Sequence, residues 1–235
     1  EYIEVGAFRR SGLALRGTGI RLVPDFPVNE YLGQEAVYQL NNEDLSLSIP
    51  LYQKALETND LYVRQAVAKS LTKVPKSLKS EYESLLNDTS YTTQEKALLH
   101  LWMSFPEERT QYLEQMKTSI GFMDKNIKLL WLTLNLATSE YEPTQKSYVF
   151  KELSQYTRAQ YPYQVRRHAF GYLYQIDTFT PSNYQDLMEG VFHPVWQFKK
   201  FCRELLDTLM NDDKHKIAIL SLVDKFSVKE KTFFN

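Results

Sequence analysis

Four histidines, His100, His168, His193 and His215, are the side chains of this 235-residue chain best suited to hold zinc or to act as a base near neutral pH. A zinc-peptidase helix needs two imidazoles one turn apart, as in His-Glu-x-x-His, and no two of these four have that spacing. His100 stands among Ala97, Leu98, Leu99, Leu101 and Trp102 and reads as a packed residue rather than a ligand. His168 and His193 read the same way. The one cysteine, Cys202, lies between Phe201 and Arg203 on an amphipathic stretch with no histidine beside it, and reads as a small buried apolar residue. It also excludes an internal disulfide. Paired carboxylates occur at Glu107-Glu108 and Asp212-Asp213, but both pairs stand at helix starts, where negative charge meets the positive end of the helix dipole. Gly17-Thr18-Gly19 lacks the third glycine and the strand–helix setting of a nucleotide fingerprint, and no G-x-S-x-G is present. These residues imply no catalytic centre and no metal site.

The cations are patterned. Arg64, Lys125, Arg166 and Lys199 each precede a leucine by the same count (Leu71, Leu132, Leu173 and Leu206), and the same count back from Leu101 gives Gln94. Arg167, Lys200 and Arg203 concentrate further charge near the last two of these positions. Cations repeated at one slot of successive helices would make a basic inner patch for an anion, a peptide carboxylate or an acidic partner surface. Alternatively, they pair with the cap carboxylates of adjacent helices or are solvated.

The elements that must carry these residues are helices. Five of the eight glycines lie in the first 33 residues, so the segment 1–45 is expected to be irregular and 46–235 densely helical. A helix is expected from Ser48-Pro50, and a second capped by Asn59-Asp60 and running through Val63, Ala66, Val67, Leu71 and Val74 to Pro75. Leu78 to Leu86 reads as a third, and Ala97 to Trp102, stopped at Phe105-Pro106, as a fourth. Another carries Tyr112, Leu113, Met116 and Ile120, with Gly121 at its end. The pairs Glu142-Pro143, Tyr161-Pro162, Thr180-Pro181 and His193-Pro194 all place proline at the first helical position. A last helix is expected from Asn211. That gives roughly eleven short helices.

They repeat. Tyr-Val-Arg-Gln-Ala-Val-Ala-Lys-Ser-Leu ends at Leu71, and Gln-Val-Arg-Arg-His-Ala-Phe-Gly-Tyr-Leu ends at Leu173, 102 residues on. That separation is three steps of about 34, a spacing suited to paired-helix repeats. The bulky Trp102, Trp131, Phe170, Trp196, Phe198 and Phe201 are expected to fill the seams between pairs.

Composition narrows the class without naming a chemistry. With 43% hydrophobic and 24% charged residues the chain can bury a core, which excludes intrinsic disorder. A net charge of −1 gives no reason to expect nucleic acid or an anionic membrane as partner. No apolar run reaches the roughly 18 residues of a membrane span. The chain opens Glu-Tyr-Ile-Glu, without an initiator methionine or a basic-then-apolar leader, and is expected to be part of something longer. Its free cysteine suits a cytoplasm and is equally compatible with a periplasmic enzyme.

The phrase at 55–71, with Asp60 as cap and Val63-Arg64 following, resembles a HEAT repeat. The stretch His-Pro-Val-Trp-Gln-Phe-Lys-Lys-Phe-Cys-Arg-Glu-Leu-Leu-Asp (193–207), following four helix pairs, resembles the C-terminal helical region of bacterial M1-family zinc aminopeptidases, and the resemblance covers about 46–235. It implies an all-α, HEAT/ARM-like α-α superhelix, a right-handed solenoid of about five helix pairs. It further implies a non-catalytic domain that closes over the cleft of an upstream zinc-bearing catalytic domain of the same chain and limits peptide access. The zinc motif, its downstream glutamate and the exopeptidase Gly-x-Met-Glu-Asn are absent here, so no catalytic residue carries over. The alternatives are a free-standing HEAT-repeat scaffold that binds another protein and, less well supported by the charge, a HEAT-like DNA glycosylase.

Overall fold

The computed structural model describes residues 28–40, 45–138 and 142–226, and among them every regular element is helical. The chain divides into two compact units, Glu1–Pro106 and Glu107–Asn235. The expected all-α class holds for the described residues.

In the first unit, α1 (Val28–Gln39) packs on α3 (Leu61–Ser70), and α3 on α5 (Tyr91–Ser104). Helix α2 (Leu45–Glu57) packs on α3 and on α4 (Lys79–Glu83), a short helix set between 3-10 turns. Asp60 caps α3 as expected: its carboxylate accepts from the backbone N–H groups of Tyr62 (2.8 Å) and Val63 (3.2 Å), an arrangement that contributes about 1 kcal/mol. Ser90 does the same for α5, which ends where Phe105 precedes Pro106 and turns extended.

Several boundaries differ from expectation, each for a local reason. Residues 28–39 form a helix inside the segment expected to be irregular, and residues 1–27 lie outside the described ones. The glycine that argued for a turn there, Gly33, is needed for packing, because a Cβ on it would stand 2.6 Å from Val63 Cγ2 of α3. Helix α2 begins before Ser48 and contains Pro50. That proline faces solvent, where a carbonyl left without its N–H partner can meet water. The expected third helix, from Leu78 to Leu86, is interrupted, with only Lys79–Glu83 α-helical.

The second unit contains α6 (Arg109–Met116), α7 (Asn126–Ala137), α8 (Pro143–Gln155), α9 (Tyr163–Gln175), α10 (Pro181–Gly190), α11 (Trp196–Leu209) and α12 (Asp213–Leu220). Helix α7 packs on α6, α8 and α9; α9 packs on α8 and α11; α10 packs on α11 and α12. One buried cluster joins Leu129, Leu132, Val149, Leu153, Val165, Ala169 and Leu173 across α7, α8 and α9. Another joins Phe170, Leu187, Met188, Phe198, Cys202, Leu206 and Ile219 across α9 to α12. Each fully buried Val, Leu, Ile, Phe or Met among them contributes about 1.5–3 kcal/mol.

Helix α6 stops at Met116, well before Gly121, so that glycine does not end it. At φ +92° Gly121 instead shapes the turn into α7, where Phe122 N–H donates to Asn126 Oδ1 (3.1 Å) and Lys128 N–H to the Ile120 carbonyl (3.1 Å). A Cβ there would collide with the Asn126 side chain and stand 2.8 Å from the Ile127 nitrogen. Pro143 and Pro181 do open α8 and α10. Pro162 is instead the cap before α9, and Pro194 lies outside α11, in a turn where Val195 N–H donates to His193 Nδ1 (3.1 Å). The last helix is capped by Asp212 and not by Asn211.

Candidate functional site

Arg64, Gln94, Arg166 and Lys199 occupy one structural slot, the fourth residue of α3, α5, α9 and α11. Lys125 falls out of it. It is the residue before α7, at φ 55°, because the turn around Gly121 shifts the phase of that segment.

Three of the slot residues, Arg64, Gln94 and Arg166, are used inside the fold. Arg64 Nη1 donates to the Thr58 carbonyl (2.8 Å), just past the end of α2, while its Nε donates to the buried Asp88 carboxylate (2.5 Å). Gln94 Nε2 donates to the Asp88 carbonyl (2.5 Å). Arg166, only 4% exposed, donates from Nε to the Thr157 carbonyl (2.7 Å), just past the end of α8, and from Nη2 to the Asp186 carbonyl (3.2 Å) of α10. Its guanidinium lies over the Phe198 ring, 4.8 Å from the centroid. Each arginine therefore places a cation and a donor on the otherwise unmet carbonyl end of the preceding helix. Burial lowers the Arg166 pKa, and burial raises that of Asp186, whose carboxylate accepts from Thr157 Oγ1 (2.6 Å).

The other candidates lie on the surface of the second unit. The buried residues Val165, Arg166, Ala169, Phe170 and Leu173 define the inward side of α9, and helical geometry places Gln164, Arg167, Gly171 and Tyr174 opposite them. Arg167 is exposed and stacks over Phe201 of α11 (5.9 Å). Lys200 is exposed, lies over the Trp196 ring (5.4 Å) and pairs with Glu204 (3.6 Å). Lys199 and Arg203 flank it on α11, both half-buried. Trp196 does not fill a seam: it is 66% exposed, whereas Phe170 and Phe198 are buried as expected.

Sequence reasoning passed over Gly171. A Cβ on it would meet nothing within 4 Å, so no packing contact within the fold requires glycine there. A mid-helix glycine costs about 1 kcal/mol relative to alanine. Its spacing from Gln164 and Arg167, two turns and one turn along the outward stripe, was the signal that could have marked it. At the edge of that outward side, His168 Nδ1 stands 3.7 Å from Asp124 Oδ2 in the turn before α7, the turn that exposes Ile120, Phe122 and Met123.

The remaining reactive side chains serve the core. Burial pushes the Cys202 thiol up to about 12, far from a nucleophile's range. His100 Nδ1 is 3.0 Å from the Tyr82 hydroxyl, and burial lowers its pKa. His215 links the Tyr184 hydroxyl (Nδ1, 2.6 Å) to the Asp177 carboxylate (Nε2, 2.8 Å), which also takes Lys214 Nζ (2.8 Å). His193 packs edge-on against Phe198. Among the described residues no three His, Cys, Asp or Glu converge in a way that could hold a metal ion. No helix among them is long and apolar enough to cross a membrane. No family model matches the chain, and no curated protein or solved structure matches it either.

Proposed function

We propose that the chain is a non-catalytic binding module of stacked helix pairs, and that in its second unit the outward side of α9 and α11 receives a polypeptide. The observation that carries this reading is the order of packing. Alternate helices touch one another along both units (α1–α3–α5 and α2–α4 in the first; α7–α9–α11 and α10–α12 in the second). Successive contacts between alternate helices are what stacked pairs produce, and stacking leaves one side of every second helix open as an extended surface. In this reading, a HEAT-like solenoid is the arrangement those contacts build. His100, His215, Cys202 and Arg166 support it indirectly, because each is committed to holding helices together.

A peptide-display selection against the intact chain, followed by hydrogen exchange on the complexes, tests the reading. Selected peptides should slow exchange in α9 and α11. Protection confined to other elements, or hydrolysis of peptides by this chain alone, would overturn it. The narrower version, in which the polypeptide is substrate passing through an M1-type aminopeptidase and the neighbour is its catalytic domain, rests on the 193–207 resemblance. It requires a coding frame that continues upstream into His-Glu-x-x-His.

A further inference from the structure

We infer that the polypeptide received on α9 and α11 is acidic, and that it runs over Arg167 and the Lys200–Trp196 pair with its main chain against α9 at Gly171; this rests on the binding-module reading above. Charge is unevenly divided in the second unit. Helices α7 and α9 contain no Asp or Glu, and with α11 they hold six Lys and Arg against only Glu204 and Asp207. Helix α10, in contrast, holds Asp186 and Glu189 and no base. Of the six cations, Arg166 is buried in the fold and Lys128 is paired with Glu152 at 3.1 Å. Of the other four, Lys199 and Arg203 are half-buried, and Arg167 and Lys200 are exposed on α9 and α11.

The two outermost, Arg167 and Lys200, are each laid over an aromatic ring of α11. Ring and cation together offer an apolar floor beside a positive rim, which suits a carboxylate side chain alternating with an apolar one. Gly171 stands one turn beyond Arg167 on the same outward side of α9. Without a side chain it lets a second backbone come closer to α9 than any other residue would allow, and no described residue fills that space. A nucleic acid fits less well. Glu204 sits 3.6 Å from Lys200 and would repel the unbroken charge of a phosphate chain, whereas an alternating peptide can set an apolar side chain or a backbone N–H beside it and keep its carboxylates at Arg167. The net charge of −1 adds no long-range attraction for a polyanion.

The test is fluorescence anisotropy on the full chain with four labelled probes. These are a short peptide alternating Glu and Leu, its Gln-for-Glu and Lys-for-Glu counterparts, and a single-stranded DNA oligomer. The Glu peptide should bind best and lose affinity as salt is raised. Arg167→Glu and Lys200→Glu should each weaken it about tenfold. Gly171→Gln should weaken it as well while raising the melting temperature, which separates blocked approach from a damaged fold. If the Gln peptide binds as well as the Glu peptide, acidity is refuted and the binding-module reading stands. If no peptide binds, both fall. Tighter binding of DNA, or affinity for the Glu peptide indifferent to all three variants, overturns the inference.

Discussion

Arg64 and Arg166 do the same work in the two units with different counter-charges. Both stand one turn into a helix and both meet the carbonyl end of the helix before it. Arg64 is then neutralised by a carboxylate, Asp88, whose side chain is 1% exposed. Arg166 binds two carbonyls and an aromatic face, and the nearby Asp186 carboxylate is engaged by Thr157 instead. The first arrangement is a buried ion pair; the second spreads a cation over dipoles. The slot therefore selects a donor that can reach a helix end, and the charge balance is settled by whichever residues the next helix brings.

The largest expected effect follows from that asymmetry. Arg64→Ala leaves the Asp88 carboxylate buried without its cation and should cost about 3 kcal/mol in denaturant titration. Adding Asp88→Asn should restore a measurable part of it, and no recovery would show that the pair is not what stabilises the slot. Arg166→Met strands two carbonyls but no charge, while keeping the packing on Phe198, and should cost about 2 kcal/mol. A larger loss than at Arg64 would reverse the comparison. Gly171→Ala should raise stability by about 1 kcal/mol, since no packing contact opposes the added methyl. Gly121→Ala, at positive φ and against Asn126, should lower it.

The smallest effect separates the two units by pH. Each unit holds a tyrosine–histidine pair, Tyr82–His100 and Tyr184–His215, but only the second adds a carboxylate. Burial, together with Lys96, lowers the His100 pKa, so the unfolded chain binds the proton more readily. The first unit should therefore lose stability as pH falls from the ordinary histidine value of 6.5, and His100→Gln should flatten that loss. Hydrogen bonds from Lys214 and His215 hold Asp177 below the usual carboxylate range. Its contribution is complete above that range and disappears as pH falls through the depressed value. Hydrogen exchange in α5 and α12 across acidic pH reads the two separately, and identical pH profiles would refute the distinction.

Much of the helical framework was legible because its punctuation is local. Asp60, Ser90, Pro143 and the Thr180–Asn183 capping box act within a few residues of where they stand. Gly33 and Gly121 misled because glycine signals either a turn or a close approach, and only the neighbour in space decides which. The repeated Val-Arg phrase was visible at Val63-Arg64 and Val165-Arg166, but its purpose was not. The carbonyls these arginines satisfy lie six residues back in one case and nine in the other, so no fixed spacing announces them. Lys125 entered the column by a count to Leu132 that the turn before α7 invalidates. The outward stripe of α9 was within reach of helical geometry alone, and Trp196 was misplaced because a large apolar residue defaults to the interior when nothing is known of what surrounds it.

Asp177 closes α9 in the left-handed conformation, at φ 49°, with its own N–H and that of Thr178 turned back to the carbonyls of Tyr174 and Leu173. A glycine would adopt that shape with less strain, but would leave Lys214 and His215 without an anchor. The bend is thus also the fastening of α12, and a chain trimmed at Met210 would keep an awkward corner that no longer grips anything. Such a truncation should loosen α9 at its far end, which makes the terminal helix a keystone of the second unit rather than an appendage to it.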